Sequence, residues 1–370
     1  MKDEVVLILD AEARRIDSEG VWPDRSIQTL AKYGLLDLTL PTDDGTQAGM
    51  RQFVEVTEKI AKHCASTAMI YLMHICASQV IAASSSPRRT ELLQRIKAGK
   101  ALATLAFSEK GSRSHFWAPV SRASRNSRGA ILNCDKSFVT SAGYADYYIV
   151  SSGSIDGKSP TDSTLYLVER NTAGIEWIGG WNGLGLRGNA SSPMTLRNCR
   201  VDENARMTNE GEGFKTMMEV VLPWFQIGSA AVSIGIAEAA FAGAVAHTST
   251  AKLEHLNETL AANVPGIRAR LAQMRLALDS ARAYLDHTLS RIEQGAPDTM
   301  LFVLGCKAIA AEMALQVTDN AMRACGGAAF NRSLWVERNF RDARAASVMA
   351  PTTDVLYDFI GKAVAGLPLF

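Results

Sequence analysis

The sequence lacks an excess of either charge. Its 39 Lys and Arg stand against 38 Asp and Glu, a formal charge of +1, which offers a polyanion nothing to grip. It has no basic stripe and no basic–aromatic interleaving, so a nucleic-acid partner is not expected. Cysteine is sparse and scattered: Cys64, Cys76, Cys134, Cys199, Cys306 and Cys325 form no C-x-x-C pair. Several sit in apolar runs and read as buried free thiols of a cytoplasmic protein. No His, Cys and carboxylate spacing suits a metal, and no Ser-His-Asp elbow occurs. Repeats and low-complexity tracts are missing too. The start, MKDEVVLILDAEARRID, carries acids early and has no long apolar core, unlike a signal peptide. No window reads as apolar for the length of a membrane span, so no membrane association is expected.

What is present is material for a large core. The 370 residues are 47% hydrophobic and 21% charged, which fits a globular chain of one large or two to three modest domains. Three textures follow one another. Residues 1–103 read as helices; FVEVTEKIAKHCASTAMIYLMHICASQVIAAS becomes apolar all round, as a buried helix does. Residues 104–212 carry short β-rich runs bounded by Gly, Asn, Asp and Ser, with GSIDGKSPTDS as an exposed hairpin loop. Residues 213–370 are helical again, with an Ala- and Gly-rich stretch that lets helices approach closely and a Gly-Gly stop after MRAC. Helices, then strands, then helices argue for an α+β chain of separate layers rather than alternating β-α units.

Six stretches, running in order from GVWPDRSIQTLAKYGLLDLTLPTDDGTQAGM to RACGGAAFNRSLWVERNFRDAR, together resemble the acyl-CoA dehydrogenase superfamily. GVWPDRSIQTLAKYGLLDLTLPTDDGTQAGM resembles its opening segment, and LATLAFSEKGSRSHF sits where it has a Thr-Glu-Pro-Gly-Ala-Gly-Ser-Asp loop. LNCDKSFVTSAGYADYYIV resembles its Gly-x-Lys-x-Phe/Trp-Ile-Thr-x-Ala strand pair. GLGLRGNASSPMTLRNCRV, GEGFKTMMEVV and RACGGAAFNRSLWVERNFRDAR resemble its Gly-Leu-Arg, Gly-x-Gly-Phe and Gly-Gly…Arg-Asp-Ala-Arg segments. The resemblance implies an N-terminal helical domain, a small middle β-domain and a C-terminal up-down four-helix bundle. It also implies a flavin cofactor, FAD with FMN as the alternative, and a small-molecule substrate that includes acyl-CoA among its candidates. The partners it implies are copies of the chain, as a dimer of dimers, and an electron-transfer flavoprotein or a flavin reductase.

By position the resemblance assigns flavin contacts to Phe107, Ser108 and Ser114 on the loop and to Phe138, Val139 and Thr140 on the strand. It adds Arg323, Gly326 and Gly327 around the Gly-Gly turn, where a neighbouring subunit approaches the diphosphate, and Thr352 and Thr353 at the last helix. Such residues suit a ring that takes hydride at N5 and needs donors along its N1–C2 edge in an apolar pocket. Read from the residues alone, KSFVT is also an ordinary strand. Gly-Gly also serves as a helix stop, and Thr353 as a helix N-cap.

The departures concern chemistry. The family's usual base, a Glu just before Gly-Thr-Ser, falls on Ala350, and a methyl takes no proton. The alternative base on the first long C-terminal helix, and the Arg beside it, fall on Phe225 and Gln226. The Arg that reaches across a dimer to the diphosphate falls on Ser249. Substitute bases are His115, in place of the loop's Asp, and Asp354, in the first turn of the last helix. Glu109 takes the place of a structural Glu, Asp342 is expected to pair with Arg338, Arg341 or Arg344, and His63 and His74 read as satisfied core residues. Two readings follow: a dehydrogenase that desaturates acyl thioesters with hydride transfer to flavin N5, and a two-component monooxygenase using reduced flavin and O2, which needs no carbon base.

Overall fold

The structure, a computed structural model, describes residues 1–42, 49–113 and 115–369. The first layer is helical: α1 (Asp3–Glu19), α2 (Asp24–Lys32), α3 (Met50–His63), α4 (Ala65–Ala83) and α5 (Arg89–Lys97). The strands follow: β1 (Ala103–Ala106), β2 (Ser124–Arg125), β3 (Gly129–Val139), β4 (Tyr147–Gly153), β5 (Ser163–Glu169), β6 (Ile175–Trp177) and β7 (Ser192–Asp202). They make two sheets, ordered β1-β4-β5 and β2-β3-β7-β6. β1 pairs parallel with β4, and the other pairs are antiparallel. The stretch GSIDGKSPTDS turns the β4–β5 hairpin.

The third layer opens with α6 (Gly213–Thr216) and a π-helical turn over Met217–Val221, and continues as α7 (Leu222–Thr250). A small ribbon, β8 (Lys252–Leu253) with β9 (Glu258–Thr259), and α8 (Leu260–Asn263) lead into α9 (Pro265–Glu293). α10 (Thr299–Cys325), α11 (Val336–Val348) and α12 (Thr353–Val364) complete it. The order is that of an α+β chain with a C-terminal helical bundle.

The apolar, small-residue texture of α7 explains how the layers meet. A Cβ on Gly228 would stand 2.3 Å from Leu72 and 2.8 Å from Phe53, and one on Gly235 would stand 2.5 Å from the Glu58 carbonyl. α3 and α4 therefore lie against the backbone of α7, too close for any side chain at those two positions. His74 is fully buried in α4 and satisfied on both sides: Nε2 lies 2.9 Å from the Leu36 carbonyl, and Nδ1 accepts the Ala103 N–H at 2.9 Å. Burial pushes its pKa down to about 4, so it is a neutral core residue. His63 meets Asp10 at 2.7 Å near the surface.

The expectation that no apolar window reaches membrane length does not hold. Ala65–Ala83, Gly213–Thr250 and Thr299–Phe330 are long and apolar enough to cross a membrane by length and composition. Within the fold, 83, 78 and 61% of their most apolar windows are buried, so their apolar character is used in packing helix on helix. All six cysteines are buried and unpaired.

Candidate active site

A cavity of about 950 Å³ lies where the three layers meet. Met69 and Met73 of α4 and Leu105 of β1 form one side, and Val221, Leu222 and Phe225 at the start of α7 another. The loop after β1 contributes Phe107, Ser108 and Glu109, and the end of β3 adds Phe138 and Thr140. The rest is Trp181 to Leu186 of the segment before β7, together with Arg344, Val348, Met349, Ala350 and Thr352 around the end of α11.

The loop is held by one buried ion pair. Lys136 of β3 is 1% exposed, and its ammonium donates to Glu109 Oε1 at 2.6 Å and to the carbonyls of Phe107 (3.3 Å) and Ser151 (2.5 Å). Glu109 also accepts the Ser121 hydroxyl on Oε1 (2.6 Å) and the N–H groups of Val120 (3.0 Å) and Ser121 (2.7 Å) on Oε2. Burial raises the Glu109 carboxyl, but the Lys136 charge and the Ser121 donors outweigh it and leave the pKa below the ordinary value. Both carboxylate oxygens are committed, so this is a structural group.

β3 ends in an irregular register against β7 between Lys136 and Val139. Phe138, inside that shift, has a left-handed φ of 53°, a conformation that costs a bulky side chain strain energy. The shift turns its ring out of the sheet into the cavity, 70% exposed, with Trp181 edge-on at 6.5 Å. Thr140 is buried and shares a hydrogen bond with the Ser191 hydroxyl at 3.1 Å. The hydroxyls of Ser141 and Thr353 are buried with no partner.

Opposite this strand, Lys307 of α10 is fully buried. Its ammonium donates to the carbonyls of Ala346 (2.9 Å), Met349 (3.1 Å) and Pro351 (2.7 Å). These three carbonyls flank Ala350, so one cation fixes the wall where the family places its base. Asp342, fully buried, forms no ion pair with the arginines around it. Its Oδ1 accepts the Leu186 N–H at 2.7 Å, and burial pushes its pKa up to about 6. Arg341 turns instead to Asp17 (2.6 Å) and Glu337 (2.7 Å).

The sequence-predicted residues divide accordingly. Phe107, Ser108, Phe138, Thr140 and Thr352 line the cavity, as do Ala350 and Phe225 at the two base positions. Val139 lies behind them in the core, paired with Ser192. Thr353 is buried at the first position of α12, and Thr352 caps that helix by accepting the Val355 N–H at 3.4 Å. Ser114 lies outside the described residues. Gly326 caps α10 at φ 59°, with open space around it and Gly327, and Arg323 is exposed and paired with Asp319 at 2.8 Å; none of the three lines the cavity. The two substitute bases do not reach it either. His115 is exposed and stacks on Trp117 at 5.0 Å, while Asp354 faces solvent in the first turn of α12. Sequence reasoning missed Trp181, hidden in a Gly-rich stretch that carries no periodicity, and Lys307, which a helical pattern alone marks as one more core-facing position.

A flat redox ring fits this site. The cavity is apolar, aromatic at Phe107, Phe138 and Trp181, and edged by the hydroxyls of Ser108 and Thr140. The unpartnered Thr353 hydroxyl stands at a helix start, where free N–H groups favour phosphate. The fold and site together define a flavoprotein type of oxidoreductase, with a β-layer facing a helical bundle across the slot. The chain belongs to the acyl-CoA dehydrogenase family: models of that family's N-terminal, middle and C-terminal domains match residues 5–100, 104–199 and 211–365.

Among curated proteins, the cyclohex-1-ene-1-carbonyl-CoA dehydrogenase of Geobacter metallireducens is 26% identical over 98% of this chain and 96% of its own. The acryloyl-CoA reductase (NADH) of Anaerotignum propionicum is 27% identical over 94% and 88%. Among solved structures, butyryl-CoA dehydrogenase from Megasphaera elsdenii superposes with a TM-score of 0.89 at 22% identity, covering 98% of this chain and 97% of that one. PigA with FAD and proline superposes with a TM-score of 0.87 at 19% identity, over 98% and 94%. At such identities the structures speak for the fold.

Proposed function

We propose that the protein is an FAD-dependent oxidoreductase that oxidises its substrate without a carboxylate base, and that it acts as a monooxygenase on reduced flavin and O2. The observation behind this is the cavity wall at Ala350 and Phe225. Neither side chain carries a proton acceptor. Among the described lining residues Glu109 is the one carboxylate, and both its oxygens are occupied by Lys136, Ser121 and Val120. When bound, reduced FAD supplies the two electrons that let one oxygen atom of O2 reach the substrate while the other leaves as water.

The chain's own part is positioning. Phe138 covers a ring face, Thr140 and Ser108 offer hydroxyls to the ring edge, and Thr353 donates towards the cofactor's phosphate end. Met69, Met73 and Leu222 keep water from the substrate, and Lys307 keeps the Ala350 wall in place. Exposed Phe138, Leu184 and Val348 (70, 66 and 72%) leave the cavity mouth open and apolar, which supports closure by a second copy of the chain. A flavin reductase is the matching redox partner, and the six unpaired cysteines support a reducing, cytoplasmic setting.

A second reading, α,β-desaturation of an acyl thioester with an electron-transfer flavoprotein as acceptor, is favoured by the names of the curated relatives. One experiment separates the two. The FAD-loaded protein is mixed anaerobically with butyryl-CoA and octanoyl-CoA, and its visible absorbance is followed. No bleaching, with oxygen consumption after photoreduction and aeration, is the expected result; bleaching of the oxidised flavin by either thioester overturns the monooxygenase reading.

A further inference from the structure

The α7 wall of the cavity continues inward past the residues that line it. Successive side chains of an α-helix turn by about 100°, so Leu222, Phe225, Gln226 and Ser229 share one face at i, i+3, i+4 and i+7. Leu222 and Phe225 line the cavity, and Phe225 is only half-buried. Beyond them on that face stand Gln226 and Ser229, 0% and 1% exposed. Neither end of the Gln226 carboxamide has a hydrogen-bond partner, and neither has the Ser229 hydroxyl.

Buried polar groups are almost always paired, because an unpaired one forfeits its bonds to water. Here three unpaired atoms belong to two neighbours on the helix face whose first residues, Leu222 and Phe225, line the cavity. The helix that carries them enters through a π-helical turn at Met217–Val221, a feature that recurs at functional sites.

We infer that Gln226 and Ser229 form the inner end of the substrate cavity, a polar subsite behind Phe225 that receives a neutral group bearing a donor and an acceptor together, as a carboxamide does. A carboxamide pairs reciprocally with the Gln226 amide, and Ser229 supplies a third contact. From Leu222 to Ser229 this face carries no charged residue, so an ionised group at its inner end would lose its hydration with no counter-charge from α7. The inference rests on the reading that the cavity holds the substrate, and it deepens it: the substrate ends in a hydrogen-bonding group rather than a plain alkyl chain.

The test compares benzamide with toluene, similar in shape and different in polarity, by titration calorimetry on the FAD-loaded protein. Wild type binds benzamide at least tenfold more tightly than toluene. In Q226L benzamide falls to the level of toluene, while toluene binding is unchanged or tighter. Without either probe, Q226L unfolds at the same or a higher temperature, because its leucine leaves no orphaned amide. S229A narrows the preference several-fold and serves where Q226L fails to fold. Equal binding of the two probes to wild type overturns the inference, as does equal weakening of both by Q226L or an unaltered preference in S229A. Calorimetry requires no turnover, so this result is independent of the oxygen and thioester experiment, which alone decides the reaction.

Discussion

Replacing Lys307 by methionine separates two opposing effects of a buried cation. The substitution keeps the length of the side chain but removes the donors to the Ala346, Met349 and Pro351 carbonyls. At roughly 1 kcal/mol for each lost hydrogen bond, that costs about 3 kcal/mol. Against this, burial pushes the Lys307 pKa down to about 7, while an unfolded lysine titrates near about 10.4. The native state releases its proton first, so between these values the unfolded state binds more protons and stability rises with pH. Each pH unit in that window adds about 1.4 kcal/mol to the wild type and nothing to the variant. K307M therefore looks mild at pH 6.5, where removing a costly buried charge offsets the lost bonds. By pH 9.5 the gap between the two proteins widens by about 3 kcal/mol. Urea unfolding of both proteins across this range reads the difference directly and cancels the titration of every other group. A gap that stays constant or narrows with rising pH would show that the three carbonyls hold the lysine at its ordinary proton affinity, and the reasoning would fail.

Four further outcomes follow from the same geometry. Glu109→Gln strands the Lys136 ammonium without its anion and costs about 3–5 kcal/mol by chemical denaturation; adding Lys136→Met to it recovers part of the loss. Asp342→Asn keeps an acceptor for the Leu186 N–H but removes a carboxyl whose native pKa, about 6, lies above its unfolded value. This group's contribution to wild-type stability falls as pH rises from about 4 to about 6, by no more than about 3 kcal/mol, so the variant gains on the wild type by that much across the range. Gly185→Ala drives a Cβ to 2.5 Å from the Arg341 carbonyl oxygen, which costs roughly 1–3 kcal/mol by overpacking and weakens FAD binding in a fluorescence titration. Ala350→Glu restores a carboxylate to the cavity wall; under the monooxygenase reading it gains no thioester-dependent bleaching, and such a gain would favour the desaturase.

The layers were legible because each has its own periodicity. The all-round apolar run of α4 and the Ala- and Gly-rich α7 could only be buried helices, and the turn-bounded runs around β3, β4 and β5 could only be strands. The membrane reading underrated that apolarity: α4, α7 and α10 are each long and apolar enough to cross a membrane, and only their packing partners show that the apolar faces are used inside the fold. Much of the site was legible by motif order, which placed Phe107, Phe138, Thr140, Ala350 and Thr352 on one cavity. The direction of side chains was not. His115 and Phe116 are neighbours in sequence, yet one faces solvent and the other the cavity. Pairing choices were equally hidden: Asp342 lies near Arg338 and Arg341 and hydrogen-bonds to backbone instead. Lys307 and Gln226 are polar residues on buried faces of largely apolar helices, and what surrounds them depends on segments far away in the chain.

The Glu109–Lys136 pair sits where the two sheets meet, since Lys136 lies on β3 and also holds Ser151 of β4. Its history as a mutable pair is constrained by that position. A change at either residue alone leaves the other isolated in the protein's interior, so single steps run downhill and only a coordinated exchange reaches another stable arrangement. Neighbouring loop positions such as Lys110 and Arg113 face no such barrier. A lineage can thus retune the rim of the slot one residue at a time while the fastening beneath it stays fixed.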